Sequence, residues 1–229
     1  MTQPFSPRLD ILPPPQRRLW QELAEVPPEF ILYGGTAIAL YLGHRPSVDF
    51  DFFGDQDFDP DQLINSIPFL ANGQVIQKAK NTLTSLIDRD GPVQVSFFGV
   101  PGLPRLAEPV EILENGIRMA SLLDLAGMKA SVVQKRAEAK DYIDIDALIT
   151  AGAVDLPTGL AAGQALYGRP FNPQITLKAL SYFEDGDLKR LPEEVKNRLV
   201  MAARAVDLDR LPTIGGNGRQ TGQDTERRR

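Results

Sequence analysis

The chain has 229 residues, a formal net charge of −5 and an ordinary globular composition, with 42% hydrophobic and 24% charged residues. It has no cysteine and one histidine, His44, which excludes disulfides, iron–sulfur clusters, thiolate or multi-histidine zinc sites and cysteine nucleophiles. Metal chemistry is therefore restricted to hard cations such as Mg²⁺, Mn²⁺ or Ca²⁺ held by carboxylates. The acidic charge argues against unspecific coating of nucleic acid, although a local basic face is compatible with it.

The first part of the chain, residues 1–28, is predicted to be a proline-rich arm that ends in a short helix. Five prolines within residues 1–15 favour an extended segment, and a short helical pattern follows over 16–24. No apolar segment of a secretory signal opens the sequence, and the longest apolar run, 30–43, is too short to span a bilayer. We therefore expect a cytoplasmic protein without a membrane segment.

The second part, residues 29–120, is predicted to be an α+β domain with a mixed sheet. Its elements are a strand over 30–33, a helix over 36–42, a strand over 47–53, a helix from 59 to about 67, and strands over 74–80, 82–87 and 92–98. The mixture of helices with consecutive strands is the basis for this fold class.

The third part, residues 121–212, is predicted to be helical. A capping box at 121–124 begins a helix that runs to about 137, and further helices are predicted over 140–150, 173–183 and 192–206. The last part, residues 213–229, is polar and rich in glycine, so it is predicted to be a disordered tail.

Two aspartates in the clearest strand form the first candidate site. Asp49 and Asp51 are two positions apart, so they face the same side of the strand about 7 Å from each other. Val48, Phe50 and Phe52 take the opposite, buried side. The two anions repel each other, and a divalent cation would relieve that repulsion. An edge strand that shows Asp to water is the alternative, but Asp is depleted in strands.

A glycine turn and an arginine flank this strand. Gly34, Gly35 and Thr36 stand at a strand-to-helix junction, where glycine permits close approach of the backbone to a phosphate and free N–H groups point at it. Thr36 adds a hydroxyl as a further donor. Arg45 has the planar guanidinium that binds phosphate in a bidentate manner. Taken singly, the glycines also suit an ordinary turn, and Arg45 suits an ordinary surface position.

A lysine interrupts the apolar stripe of the helix that begins after Ser121. Lys129 falls at helical spacing among apolar residues, and lysine is rarely buried without a partner. Three interpretations remain open: it extends to the surface, it pairs with Asp141 or Asp144 of the next helix, or it points at a substrate phosphate.

Together these segments resemble a known family. GGTAIALYLGHRPSVDFDFF looks like the glycine turn and acidic strand of DNA polymerase β-type nucleotidyltransferases. With SLLDLAGMKASVVQKRAEAKDYIDIDALI and, more weakly, KALSYFED, the chain resembles the AbiEii/AbiGii toxins of type IV toxin–antitoxin and abortive-infection systems over about residues 30–185. The resemblance implies a polymerase β-like core with a mixed sheet followed by a helical C-terminal part.

The resemblance also implies an activity, which is transfer of NMP from an NTP to an acceptor hydroxyl with release of pyrophosphate. Mg²⁺ or Mn²⁺ would be the cofactor. Similar toxins modify the acceptor end of tRNA, so RNA is the implied acceptor, and a cognate antitoxin encoded nearby is the implied partner.

The residue roles that the resemblance implies can be stated position by position. Asp49 and Asp51 would bind the metal ion, and the glycine turn would bind the nucleotide triphosphate. Arg45 would contact phosphate or fix the acidic strand. Lys129 and Asp144 match a later lysine and aspartate of the family and would be catalytic. The further candidates for the site are Gly34, Gly35, Thr36, Ser47 and Asp141.

One departure from the superfamily pattern leaves alternatives. Many polymerase β-type enzymes have a third carboxylate on a later strand, whereas the predicted strand over 92–98 has Gln94 and Ser96 at the expected positions. Either Asp144 supplies that role or activity is impaired. The missing carboxylate motivates one alternative, a catalytically impaired binding module of the same fold. A transferase of the same fold that acts on a small molecule or a protein is the other.

Overall fold

The computed structural model describes residues 5–215, and within them the chain folds as a mixed sheet with helices packed against it. The strands are β1 (Ile31–Tyr33), β2 (Asp49–Gly54), β3 (Gln74–Ala79), β4 (Thr82–Asp88), β5 (Pro92–Gly99), β6 (Val110–Glu111) and β7 (Arg118–Met119). The helices are α1 (Pro14–Leu19), α2 (Gly34–Leu42), α3 (Pro60–Ser66), α4 (Pro68–Ala71), α5 (Leu122–Val132), α6 (Ala139–Thr150), α7 (Leu156–Tyr167), α8 (Pro173–Ala179) and α9 (Glu193–Ala205).

The sheet has the order β3-β4-β5-β2-β1-β7-β6, which places the acidic strand β2 at its centre. β2 runs antiparallel to β1 and parallel to β5. The register pairs Tyr33 with Asp51, so the glycine turn that follows Tyr33 lies beside the second aspartate. The mixed α+β class predicted from the sequence is confirmed.

The amino-terminal arm differs from the prediction in the part that the structure describes. A 3₁₀ turn at Leu9–Ile11 and the buried side chain of Leu12 pack this segment on the core. Helix α1 begins at Pro14, earlier than predicted, because two prolines occupy its first turn, where no N–H donor is needed. The segment expected to be extended is therefore interrupted by a turn at Leu9–Ile11, whereas Leu12 after the turn has an extended backbone.

Helix α7 was missed by the sequence interpretation. Asp155 caps its first turn by accepting a hydrogen bond from the backbone N–H of Thr158 at 2.8 Å. Its buried face consists mainly of glycine, alanine and leucine, so apolar periodicity is weak along the sequence. Gly127 of α5 lies against Ala162 of α7, where a Cβ would come within 2.9 Å of the backbone. Small residues thus let these two helices pack closely.

Buried side chains form two clusters that share two helices. The first fills the sheet, where the rings of Phe52 and Phe97 stack at 5.3 Å, and the second fills the space among α5–α9. Helix α5 gives Leu125 to the first cluster and Val133, its carboxyl-terminal cap, to the second. The domain boundary expected at residue 121 stays a prediction, and residues 216–229 of the predicted tail lie outside the described residues.

Within residues 5–215, no helix has the length and apolar character needed to cross a bilayer.

Candidate active site

The acidic strand opens into a cleft of about 510 Å³. Phe50 and Phe52 are fully buried, while Asp49 and Asp51 alternate with them and line the cleft. Among the described residues, neither carboxylate has an ion-pair partner. Burial and the charge of Asp49 raise the pKa of Asp51, although a hydrogen bond from Ser96 opposes the shift. The charges of Lys129 and Lys140 also act to lower the pKa of Asp51, so the site holds two neighbouring carboxylates whose repulsion is only partly offset.

These two carboxylates fit a hard divalent cation. Carboxylate oxygens are ligands that Mg²⁺ and Mn²⁺ accept, and Mg²⁺ commonly takes one or two protein carboxylates plus water and substrate phosphates. No group of three or more His, Asp or Glu residues forms a metal cluster in the described part of the chain.

The two glycines of the turn lie against different side chains of the site, and each position requires glycine for a different reason. Gly34 has φ +76°, and a Cβ there would lie 3.0 Å from Oδ2 of Asp51. Gly35 has no such φ, but its Cβ would lie 2.2 Å from Nη2 of Arg45. The first glycine therefore shapes the turn, and the second makes room for a guanidinium.

Thr36 and Ser47 fix the start of β2. The Thr36 hydroxyl donates to the backbone carbonyl of Asp49, and it lies 2.7 Å from the Ser47 hydroxyl. Because a hydroxyl has a single proton, the expected donation from Thr36 to a phosphate is not available in this arrangement. Both residues thus join α2 to the acidic strand.

Asp144 lies at the centre of a buried charge network. Its carboxylate accepts hydrogen bonds from Nε2 of His44 at 2.7 Å and from Nε and Nη2 of Arg45 at 2.7 and 3.0 Å. Nζ of Lys129 lies 2.7 Å from the other oxygen. Burial alone would raise the pKa of Asp144, but the His44 and Arg45 hydrogen bonds and the Lys129 charge hold it well below its usual range. Asp144 does not line the cleft.

Lys129 bonds to both of the aspartates proposed as alternatives. Nζ of Lys129 lies 2.5 Å from Oδ1 of Asp141 as well as 2.7 Å from Asp144. Arg136 completes the pairing of Asp141 through Nε at 2.8 Å. Only 7% of the Lys129 side chain is exposed, which rejects the interpretation that it extends to the surface. Lys129 still contributes to the cleft wall, so the pairing does not remove it from the site.

The remaining walls of the cleft separate into a cationic side and an apolar side. The cations are Arg45, Lys129, Lys135, Arg136 and Lys140. The apolar residues are Phe53, Phe98, Leu125, Met128 and Val132. The apolar wall was missed by the sequence interpretation, although an aromatic residue on the same side of the strand as the two aspartates was a usable indication. Phe53 and Phe98 are paired in register, and their rings lie 4.9 Å apart.

The third carboxylate of the superfamily pattern is absent from the neighbouring strand. β5 pairs Gln94 with Asp49 and Ser96 with Asp51, so these two residues stand at the expected position. Among the described residues, the carboxylates that line the cleft are those of Asp49 and Asp51 alone.

Comparison with protein families assigns most of this chain. Residues 18–214 match the family described as nucleotidyl transferase AbiEii toxin, type IV TA system. The chain belongs to the AbiEii family. It is therefore a nucleotidyltransferase of a toxin family, as the sequence resemblance implied, and the cleft described above lies within the matched residues.

Two further comparisons found a similar sequence and similar structures. An uncharacterised protein of Aquifex aeolicus is 34% identical over 159 residues, which cover 69% of this chain and 75% of that protein. MenT4, a nucleotidyltransferase toxin of Mycobacterium tuberculosis, has a TM-score of 0.57 at 14% identity, covering 83% of this chain and 82% of that one. JHP933 of Helicobacter pylori has a TM-score of 0.51 at 18% identity, covering 82% and 87%. The two structures share the fold.

Proposed function

We propose that this AbiEii-family protein is a Mg²⁺-dependent toxin that transfers NMP from an NTP to an RNA hydroxyl. The observation that carries the proposal is the pair Asp49 and Asp51, which have no ion-pair partner among the described residues and face a cleft whose other charged side chains are all cations. Two neighbouring carboxylates repel each other, and a bound ligand that contains a cation reduces that repulsion.

The chain's own groups supply the binding of the triphosphate. The backbone N–H groups of Gly34 and Gly35 stand at the first turn of α2, where helix N-termini favour anions. Lys129 and Arg45 add positive charge to the same wall of the cleft. Arg45 is held in place by Asp144, so it reaches the phosphates from a fixed position.

The proposed reaction joins the acceptor oxygen to the α-phosphorus and breaks the bond from that phosphorus to the bridging oxygen, so pyrophosphate leaves. Mg²⁺ or Mn²⁺, held by Asp49 and Asp51, would neutralise charge on the phosphate oxygens. The hydroxyl proton passes to water in the open cleft. Asp144 is proposed as a positioning residue and not as the base, because its oxygens are already occupied by the side chains of His44, Arg45 and Lys129.

RNA is favoured as the acceptor because the cleft wall beyond Lys129 continues as Lys135, Arg136 and Lys140 on a protein whose net charge is −5. A local concentration of cations against the overall charge suits a polyanion. The family description adds a cognate antitoxin as the proposed partner and NTP as the proposed substrate. The cytoplasm remains the proposed compartment.

Incubation of the purified protein with α-labelled NTPs, Mg²⁺ and total tRNA tests the proposal. Wild type is expected to label RNA, and Asp49→Ala to lose labelling and toxicity in cells. Asp61→Ala is the matched control, because this exposed carboxylate on α3 pairs with Lys78 and neither residue lines the cleft. If wild type labels no RNA and remains as harmless as Asp49→Ala, the proposal fails.

One observation favours a second candidate, a catalytically impaired module that binds nucleotide without transfer. Gln94 and Ser96 leave β5 without the third carboxylate. Isothermal titration with Mg²⁺ and each NTP separates the candidates: tight binding without turnover on RNA, protein or small-molecule acceptors supports the impaired module, and turnover excludes it.

A further inference from the structure

A second depression, of about 300 Å³, adjoins the cleft at its cationic end. We call it the side groove and define it by Val133, Lys135, Arg136, Ile175, Lys178 and Tyr182. Lys135 and Arg136 line both the cleft and the side groove, so the two depressions are neighbours at the end of α5.

The charges of the side groove are suited to an anionic chain. Lys135, Arg136 and Lys178 are exposed, and Asp185 is the one carboxylate that lines it within the described residues. Lys135 and Lys178 have no ion-pair partner in that part of the chain. Arg136 is anchored through Asp141 with 46% of its side chain exposed.

The side groove also presents an aromatic surface. Tyr182 is 51% exposed and Ile175 is 46% exposed. Cations spaced along a path together with an exposed ring are the elements by which proteins bind single-stranded nucleic acid, with phosphates on the cations and a base stacked on the ring. An acidic peptide would use the cations but leave the ring unexplained.

The groove is preformed, because hydrogen bonds fix its two walls to each other. Gln134 donates to the backbone carbonyl of Asn172 at 3.0 Å and to the Thr176 hydroxyl at 2.8 Å. The Thr176 hydroxyl donates in turn to the carbonyl of Ala130 at 2.7 Å. Helix α8 is thereby attached to α5, and a ligand does not have to order this surface on binding.

We propose that the side groove binds the single-stranded RNA that precedes the reacting hydroxyl, with a base stacked on Tyr182 and its phosphates on Lys135 and Lys178. The inference rests on the proposed function, since it needs an RNA end in the cleft. It adds a place and a mode of binding: the strand crosses the end of α5 from the side groove into the cleft.

The test measures RNA binding without transfer. The probe is a fluorescein-labelled single-stranded RNA dodecamer whose terminal ribose lacks its hydroxyls, followed by fluorescence anisotropy. Tyr182→Ala is expected to weaken binding roughly tenfold by the loss of stacking. Lys178→Gln is expected to reduce the slope of log affinity against log salt by about 0.7. NTP binding, measured by titration calorimetry, should stay at the wild-type value in both variants.

Two control variants match these changes elsewhere on the surface. Met201→Ala truncates a side chain that is 71% exposed on α9, and Lys80→Gln removes an exposed charge between β3 and β4. Both should bind the RNA probe as wild type does.

The outcomes distinguish the inference from the proposed function. If wild type labels RNA but Tyr182→Ala and Lys178→Gln bind the probe normally, the side groove is wrong and the function stands. If wild type transfers NMP to another acceptor and does not bind the probe, RNA is wrong both as the acceptor in the proposed function and as the ligand of the side groove. If wild type binds the probe but transfers no NMP, and both variants lose probe binding, the side groove is supported and the proposed function is not. Equal competition by polyglutamate or by duplex RNA overturns the single-strand mode.

Discussion

Gly34 and Gly35 are adjacent in the sequence but are required for different reasons. Gly34 has a left-handed φ of +76°, which a side chain makes costly, and Gly35 leaves the space that the Arg45 guanidinium fills. A sequence motif cannot separate these roles, because both residues are simply glycine at a turn. The distinction matters for the cleft, since one glycine controls the turn beside Asp51 and the other controls a cation.

Gly34→Ala is expected to lower the free energy of unfolding by about 1–2 kcal/mol and to abolish nucleotide transfer, because it strains the turn and crowds Asp51. Gly116→Ala is the control: Gly116 has φ +73° and no atom within 4 Å of its would-be Cβ. It should lose similar stability and keep its activity. Thermal unfolding and RNA labelling measure the two effects, and equal activity in both variants would contradict the assignment.

Replacement of Asp51 is expected to change stability and activity in opposite directions. Its raised pKa means that the charged form is unfavourable in the folded protein, so the penalty is present at neutral pH and is relieved as pH falls through the folded pKa. Asp51→Asn should therefore raise the melting temperature in EDTA by a few degrees while it abolishes transfer. The stability gain should shrink on acidification, and a melting temperature below that of wild type at neutral pH would disprove the penalty.

At the residue scale, the sequence predicted the carboxylate pair and the glycine turn because both depend on local spacing. It could not identify the partners of Arg45 and Lys129 uniquely, because Arg45 and Asp144 are 99 positions apart and meet only through the tertiary fold. The side chains of Phe53 and Phe98 likewise come together only once β2 and β5 are paired.

Helix α6 connects the two cores through its buried aspartates. Asp144 holds the loop after α2 through His44 and Arg45, while Asp141 holds α5 through Lys129. Two neighbouring turns of one helix thus position two cationic side chains of the cleft. The sequence predicted this helix from its periodicity, but it did not predict α7, where small residues conceal the pattern.

Asp144→Asn is expected to cost about 3–5 kcal/mol, because it leaves buried cations without their anion. Asp146→Asn, on the same helix, should cost about 1 kcal/mol or less, since its partner Arg198 is 46% exposed. The pKa of Asp144 is lowered in the folded protein, so its contribution is complete above the ordinary carboxyl pKa and is lost as pH falls below it.

Urea unfolding of both variants and wild type from neutral pH to pH 3 measures this contribution. The gap between wild type and Asp144→Asn should narrow as the solution becomes more acidic. A gap of constant size across that range would show that the charge of Asp144 does not stabilise the protein.

Across the described residues, α5 and α6 each contribute side chains to both buried clusters. The sequence suggested separate parts at residue 121 because the pattern changes there from strands to helices. It could not show that Leu125 of the next helix packs against the sheet. Independent unfolding of either cluster is costly, because unfolding a shared helix would also expose side chains that belong to the other cluster.

Leu32→Ala and Leu199→Ala, both fully buried and one in each cluster, should each cost about 2–5 kcal/mol. Because the clusters share helices, both variants should lower the temperature of a single transition, with calorimetric and van't Hoff enthalpies that agree. Differential scanning calorimetry checks this. Two resolved transitions, with only one displaced in each variant, would indicate two independent units and would favour the boundary at residue 121.

The contact between Gly35 and Arg45 also has an evolutionary consequence. Any side chain at position 35 would collide with the guanidinium that Asp144 holds, and Lys129 shares that same carboxylate. Single replacements at these positions are therefore expected to be harmful, whereas joint replacements remain accessible. Lineages that lose the glycine should have replaced the arginine and the aspartate as well, so that these positions are inherited as a linked set.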